Sequence, residues 1–266
     1  MRIEFTKMAG AGNDFVVLGP AYIGLTGRGP ELARHLCRRR ASVGADGLIV
    51  VDDKAEEIFM HYFNRDGSKA DFCGNGARCL VYYCAAKGIA SGAIAFRSGS
   101  GRHEGEVTAD GASITMQMPV LIKEVMIDAG GSRYQVTLVD SGVPHAVILT
   151  QAIDSLEIEA LGPDIRFHPT FGSEGANVDF VDIGGGDPYA IRTYERGVEG
   201  ETLACGSGCV AAAQVLRLKN LAGRRVGLRT ASGDELVIEF PPDRRDEVLL
   251  SGPVCIVYEG EIEFKE

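Results

Sequence analysis

The sequence predicts an α+β fold of two pseudo-symmetric domains, each a mostly antiparallel sheet or barrel wrapped around a central buried helix. Three observations lead there. Phe72-Cys73-Gly74-Asn75-Gly76 recurs as Ala204-Cys205-Gly206-Ser207-Gly208, with the cysteines 205 − 73 = 132 residues apart, almost half of the 266-residue chain. Each motif is preceded by a strand-like segment with a polar loop and followed by a helix-length segment that is apolar nearly all the way round, and such a helix must be buried on most sides. Glycine supplies 35 of 266 residues, nearly twice the ~7% of average proteins, which calls for many tight turns and argues against a helical bundle.

The elements follow in chain order. Residues 3–5, 15–18, 47–51 and 58–63 are short runs rich in β-branched and aromatic side chains, and read as strands. A helix is expected over 29–40, with Pro30 near its first position and Cys37 on an exposed face. The turn Asn64-Arg65-Asp66-Gly67-Ser68 leads to Cys73, and the apolar helix behind it stops at Gly88. Residues 93–96, 104–108 and 113–118 complete the strands of the first half. The link between domains is placed near Met118-Pro119-Val120. Strands follow at 134–140, 146–149, 177–182 and 190–194, with the hairpin loop Gly184-Gly185-Gly186-Asp187-Pro188 between the last two. The helix after Cys205 stops at Asn220, and strands at 225–229, 235–240 and 247–250 come after it. Two late strands, 254–258 and 262–264, end the chain, and one of them is expected to return to the first domain. The domains are therefore drawn as 1–119, completed by 257–266, and 120–256.

Composition narrows the function. The charge balance is 27 − 37 = −10, and an acidic chain lacks the basic footprint that nucleic acid or an anionic membrane needs. No apolar run approaches the ~20 residues of a membrane span. The start, Met1-Arg2-Ile3-Glu4-Phe5, has no apolar signal-peptide region. With seven cysteines, an odd number, this reads as a reduced cytoplasmic protein. No Cys-x-x-Cys occurs and Cys205-x-x-x-Cys209 has no nearby histidine, so no metal is expected. There is no glycine-rich phosphate loop with a lysine, so no cofactor is expected. Cys79, Cys84 and Cys209 fall on the apolar helices as core residues, and Cys255 lies in a strand.

The repeated cysteines carry the chemistry. Each sits just before a helix start with Gly-x-Gly behind it. The open amides of a helix N-terminus bind anions, and a substrate carboxylate is a natural guest. The same dipole favours thiolate over thiol. If both sulfurs face one substrate carbon, one takes a proton from one face while the other gives a proton to the opposite face. That inverts a carbon bearing hydrogen, and helix amides stabilise the charge that develops on the adjacent carboxylate.

Several segments together resemble the diaminopimelate epimerase family along essentially the whole chain. They are Lys7-Met8-Ala9-Gly10-Ala11-Gly12-Asn13-Asp14-Phe15, Gly44-Ala45-Asp46-Gly47, Phe63-Asn64-Arg65-Asp66-Gly67-Ser68, Cys73-Gly74-Asn75-Gly76-Ala77-Arg78, Gly175-Ala176-Asn177-Val178, Tyr194-Glu195-Arg196-Gly197, Glu201-Thr202-Leu203-Ala204-Cys205-Gly206-Ser207-Gly208 and Ser251-Gly252-Pro253. The family is similar in fold to proline racemase and uses two cysteines without a cofactor. It interconverts LL- and meso-diaminopimelate on the route to lysine and peptidoglycan. The resemblance implies Cys73 and Cys205 as the acid/base pair, with the backbones of Gly74, Asn75, Gly206 and Ser207 holding the reacting carboxylate. It implies Asn13, Asn64, Asn177 and Arg196 as substrate contacts, Arg196 gripping a distal carboxylate, and Glu195 on the substrate amino group. It also implies a homodimer.

The chain departs from the family at Gly142-Val143-Pro144-His145, where Gly-Asn-Pro-His is usual; His145 remains as an accessory residue that orients the site. The loop Gly197-Val198-Glu199-Gly200-Glu201 is one residue longer than the commonest form. Two other readings stay open: a racemase of another amino acid such as histidine, with Val143 as its sign, and a thiol redox or metal-binding protein using Cys73 and Cys205.

Overall fold

The computed structural model describes residues 1–54 and 57–264. The chain divides into two compact units, Met1–Thr115 with Ser251–Glu266, and Met116–Leu250. Each is a sheet curled around one helix.

In the first unit the sequence runs β1 (Arg2–Gly10), β2 (Asn13–Leu18), α1 (Gly29–Leu36), β3 (Gly47–Asp52), β4 (Ile58–Asn64), β5 (Lys69–Ala70), α2 (Gly74–Ala86), β6 (Ile94–Ser98), β7 (Gly101–Thr108) and β8 (Gly111–Gln117). The second contains β9 (Val120–Ala129), β10 (Ser132–Asp140), β11 (Pro144–Thr150), α3 (Ile158–Arg166), β12 (Asn177–Asp182), β13 (Tyr189–Glu195), β14 (Gly200–Thr202), α4 (Gly206–Leu218), β15 (Arg225–Arg229), β16 (Glu235–Glu239) and β17 (Glu247–Pro253). The last strand, β18 (Cys255–Glu263), pairs antiparallel with β1 and so belongs to the first unit.

The two pairing patterns repeat each other. β1–β2 and β10–β11 are antiparallel, β2–β3 and β11–β12 parallel, and β3–β4 and β12–β13 antiparallel. A parallel step then joins β4 to β6 in one unit and β13 to β15 in the other. β4 and β13 are each seven residues long with the same alternation of buried and half-buried positions. α2 and α4 are each 13 residues long. Their stops also correspond, because Gly88 (φ +67°) and Asn220 (φ +57°) both adopt the left-handed conformation just past the helix end. The offset is 220 − 88 = 132, the same as between the cysteines.

Burial explains why these helices are apolar all round. α2 touches β1, β2, β3, β4, β7 and β18, and α4 touches β10, β11, β12, β15 and β16, so neither has a solvent face along most of its length. Leu80, Val81, Val210, Ala211, Ala212 and Leu216 are all fully buried. Among the described residues no helix is long and apolar enough to cross a membrane.

Four local expectations need correction. α1 ends at Leu36, not at residue 40, and Cys37, only 2% exposed, packs with Leu32, Ala33 and Leu36 in the core rather than on an exposed face. The charged run Arg38-Arg39-Arg40 looked like a solvated helix end, but the chain turns there and Arg40 has φ +68°. The segment read as a link holds the ten-residue strand β9, masked in sequence because Val120, Leu121 and Ile122 are all exposed and break the alternation. The two late strands are one, β18. Sequence reading also passed over α3, whose interior holds Pro163 beside Gly162. That glycine is required by packing, since a Cβ on it would run into the Tyr194 ring.

Candidate active site

In the first unit the parallel β2–β3 pair and the β4 strand support the start of α2. Cys73 is the residue that caps α2: its backbone is extended (φ −145°, ψ 115°) and its Sγ accepts the Gly76 N–H at 3.5 Å. Gly74 and Asn75 open the helix, so the first-turn amides lie directly behind the thiol. Gly76 packs tightly, because a Cβ there would stand 3.1 Å from Met60 Cε, 3.3 Å from Ile49 Cδ1 and 3.4 Å from Phe15 Cε1. The buried Tyr62 hydroxyl adjoins Cys73; burial, and then that thiol, push its ionisation far above the ordinary phenol range.

Asn13 and Asn75 are brought together, but their side chains bond each other rather than standing open. Asn75 Nδ2 donates to Asn13 Oδ1 at 2.7 Å, and Arg78 Nη2 donates to Asn75 Oδ1 at 2.8 Å. Asn13 Nδ2 donates in turn to Asp46 Oδ2 at 3.2 Å. Asp46 shares Arg39 with Asp14, at 2.8 Å and 2.6 Å, and Lys7 binds Asp14 at 2.7 Å. Burial alone raises the Asp14 pKa, but Arg39 and Lys7 outweigh it and hold the carboxyl below its ordinary value. Asn64 sits at the end of β4, opposite Gly47 of β3, and donates to Ser68 Oγ at 3.0 Å.

The second unit is built differently around the same helix start. Cys205 also precedes its helix in an extended conformation (φ −121°, ψ 109°). Its Sγ lies 3.4 Å from Ser207 Oγ, which lies 3.0 Å from His145 Nε2. His145 Nδ1 lies 2.7 Å from Asp179 Oδ2, and Thr193 Oγ1 donates to Asp179 Oδ1 at 2.8 Å. His145 and Asp179 are both fully buried. Ser141 Oγ donates to the Ser207 carbonyl at 2.9 Å and fixes that backbone.

Asn177 ties the remaining residues to this group. Its Nδ2 donates to the Pro144 carbonyl at 3.3 Å, and its Oδ1 accepts the Arg196 backbone N–H at 2.8 Å. Arg196 is half-buried, and no carboxylate of the described residues pairs with its guanidinium. Glu199, its nearest competitor in sequence, instead binds Arg166 at 3.0 Å and the Gly197 amide at 3.0 Å. Thus Cys205, Ser207, His145, Asn177 and Arg196 are brought together as one cluster. Asp179, Thr193 and Ser141 were missed. The signal for Asp179 was present, since an acidic side chain sits between Val178 and Phe180 in the middle of a buried strand.

The electrostatics are those of a site short of a cation. Burial raises the Glu195 pKa, with the Thr202 hydroxyl and His145 pulling it partly back. Burial, then Glu195 and Asp179, push the Cys205 thiol well above its ordinary value, while Ser207 and the Gly208 amide pull the other way. The sequence-based expectation that the helix start favours thiolate is therefore outweighed at Cys205, because desolvation and two carboxylates exceed the dipole. Cys37 and Cys84, buried without polar partners of this kind, are pushed up to about 12. Among the described residues no group of three or more His, Cys, Asp or Glu side chains is arranged to hold a metal ion.

Glu195 gives a stability test. Its folded-state pKa is raised above the ordinary 4.5, so the folded protein holds this proton more tightly and loses stability as pH rises through and above that value. Glu195→Gln is expected to equal the wild type in acid and to exceed it near about pH 8, by urea denaturation at both pH values. A variant no more stable at the higher pH contradicts this burial.

The fold places the chain in the class of α+β proteins seen in a PhzF-family phenazine biosynthesis protein of Bacillus anthracis (TM-score 0.75, 14% identity, covering 99% of this chain and 100% of that one) and in a probable proline racemase of Agrobacterium radiobacter K84 (TM-score 0.72, 15% identity, 99% and 93%). At such identities only the fold is shared. The family model described as Diaminopimelate epimerase matches residues 5–122 and 137–257. A diaminopimelate epimerase of Aquifex aeolicus is 37% identical over 273 residues, covering 98% of each chain, and one of Chlorobaculum tepidum is 38% identical over 259 residues, covering 96% of this chain and 99% of the relative. The chain belongs to the diaminopimelate epimerase family.

Proposed function

We propose that this protein epimerises LL-diaminopimelate to meso-diaminopimelate by exchanging protons between Cys73 and Cys205 at the α-carbon, without a cofactor. The observation that carries this reading is the duplication: one thiol immediately precedes the first turn of the buried helix in each unit, 132 residues apart. One cysteine, as thiolate, takes the α-proton and becomes a thiol. The other, as thiol, gives its proton to the opposite face and becomes a thiolate, so charge is conserved across the turnover. The carbanion's charge spreads onto the substrate carboxylate, where the amides behind Gly74, Asn75, Gly206 and Ser207 receive it.

The other residues take roles that suit their surroundings. Glu195, a buried carboxylate raised by desolvation, accepts the substrate ammonium. Arg196, with its guanidinium uncommitted among the described residues, takes the distal carboxylate bidentately. Asn64 and Asn177 hold the amino-acid ends at the rims of β4 and β12. Asn13 acts by fixing Asn75, and His145 by fixing Ser207. In this reading the enzyme is cytoplasmic and a homodimer, as its family resemblance implies, and serves lysine and peptidoglycan precursor synthesis.

Val143, which cannot hydrogen-bond through its side chain, favours one second reading, a racemase of another amino acid. Incubating the purified protein with LL-diaminopimelate and with a panel including histidine separates the two. Conversion of LL- to meso-diaminopimelate is expected. Turnover of a panel member with none of diaminopimelate replaces the first reading with the second.

A further inference from the structure

The two units differ where the duplication makes the difference measurable. Phe15 pairs with Gly47 across the parallel β2–β3 step, and His145 pairs with Asn177 across the parallel β11–β12 step. These positions correspond, since 145 − 15 = 130 and 177 − 47 = 130. Two residues further along, Ile49 of β3 corresponds to Asp179 of β12 at the same offset, 179 − 49 = 130. The glycines of the two helix starts report the same equivalence. Gly76 faces Ile49 and Phe15, and Gly208, 208 − 76 = 132 residues on, faces Asp179 so closely that any Cβ would strike its carboxylate. All four of Phe15, Ile49, His145 and Asp179 are fully buried. An apolar pair beneath one cysteine helix is thus a buried charged pair beneath the other. A buried His–Asp pair offers no stability advantage over an apolar one, so its presence calls for a chemical reason.

We infer that Asp179, through His145 and Ser207, holds and returns the proton of Cys205, and that Cys73 has no such relay; this rests on the proposed epimerase reading. Asp179 Oδ2 accepts the Nδ1 proton of His145 at 2.7 Å, which fixes the tautomer and turns Nε2 toward Ser207 as an acceptor. The Thr193 hydroxyl donates to the other Asp179 oxygen and locks the carboxylate. When Cys205 is a thiol, its S–H donates to Ser207 Oγ and the Ser207 hydroxyl donates to Nε2. When Cys205 becomes a thiolate, its proton passes to Ser207 Oγ as the Ser207 proton passes to Nε2. Imidazolium then faces Asp179 and the Ser207 hydroxyl donates to sulfur. One S–H bond breaks, one N–H bond forms, and nothing is oxidised. The charged groups facing Cys205 are Glu195 and Asp179, both of which oppose the thiolate, so a cation formed on His145 is what offsets them. In the first unit the residue matching Ser207 is Asn75, whose side chain bonds Asn13 and Arg78 and carries no titrating proton.

Asp179 and His145 are therefore positioning residues specific to one of the two thiols. The test is Asp179→Asn in the full-length protein, with alkylation by iodoacetamide followed at each cysteine by peptide mass spectrometry, alongside kcat and KM for diaminopimelate. The expected result is alkylation of Cys205 slowed roughly tenfold relative to Cys73, with kcat down about 10²-fold or more and KM within about twofold. Ser207→Ala, which leaves the His145–Asp179 pair in place, is expected to give the same Cys205-selective slowing, and serves alone if Asp179→Asn does not fold. Unchanged alkylation of Cys205, or equal slowing at both cysteines, overturns the relay. Because alkylation needs no substrate, a protein that ignores diaminopimelate but shows the Cys205-selective effect contradicts the epimerase reading and not the relay.

Discussion

Cys205→Ala is expected to abolish epimerisation, with kcat/KM lower by at least about 10³-fold, while the protein stays folded. Cys73→Ala is expected to do the same. The size follows from what is removed. A two-base inversion needs a proton acceptor on one face and a donor on the other, and loss of either thiol stops the reaction in both directions. The fold tolerates the change because alanine fits the small site of a buried cysteine and leaves the amides of α4 in place. Serine in place of Cys205 restores hydrogen bonding but not chemistry, since a hydroxyl is far less acidic than a thiol. A redox role for the pair predicts otherwise: cycling through an oxidised state, with turnover surviving oxidation. In the epimerase reading oxidation simply inactivates, because an oxidised sulfur has no proton to exchange. Either alanine variant retaining near wild-type turnover removes the cysteines from the mechanism.

Arg196→Met is expected to raise KM for diaminopimelate by about 10²–10³-fold, with a much smaller change in kcat. Its backbone N–H is held by Asn177 Oδ1 at 2.8 Å, so the residue leaves β13 in a fixed direction. Glu199, which could have neutralised it, is drawn away by Arg166 and by the Gly197 amide. A half-buried guanidinium left in this state matches a dicarboxylate substrate, and a bidentate pair supplies several kcal/mol of binding. Lysine at this position is expected to recover only part of the loss, because a point charge cannot reproduce the fork. An unchanged KM for Arg196→Met places the distal carboxylate elsewhere, and Val143 then becomes evidence for a different substrate.

Much of this was legible in the sequence, and the reasons are physical. The repeated Cys-Gly-x-Gly, the two apolar helices and their Gly88 and Asn220 stops are local signals, and each element formed where its own side chains required it. β12 and β15 begin and end where their β-branched runs do. What could not be read is what long-range packing decides. α3 keeps Pro163 in its interior because Leu161 and Ile165 anchor it in the core with Phe180 and Tyr194. Cys37 is buried because the chain turns beneath it, and nothing adjacent in sequence announces that turn.

The site divides in the same way. Cys73, Cys205 and the residues flanking them belong to contiguous motifs, and His145 and Asn177 were found as parts of others. Asp179 joins them only because the parallel register of β11 and β12 sets His145 beside Asn177, and strand alternation then turns Asn177 and Asp179 to one face. Asn13 and Asn75 show the converse. Both were read as contacts for a ligand, and the fold shows their side chains occupied with each other, with Arg78 and with Asp46.

The account stands on proton exchange at one carbon by two thiols, and following the α-hydrogen in D₂O by NMR tests it most directly. Starting from LL-diaminopimelate, each molecule of meso product is predicted to carry deuterium at the inverted α-carbon early in the reaction, while unconverted substrate keeps its hydrogen. Inverted product that retains its original α-hydrogen, or equal labelling of substrate and product from the first turnovers, contradicts two separate acid/base groups.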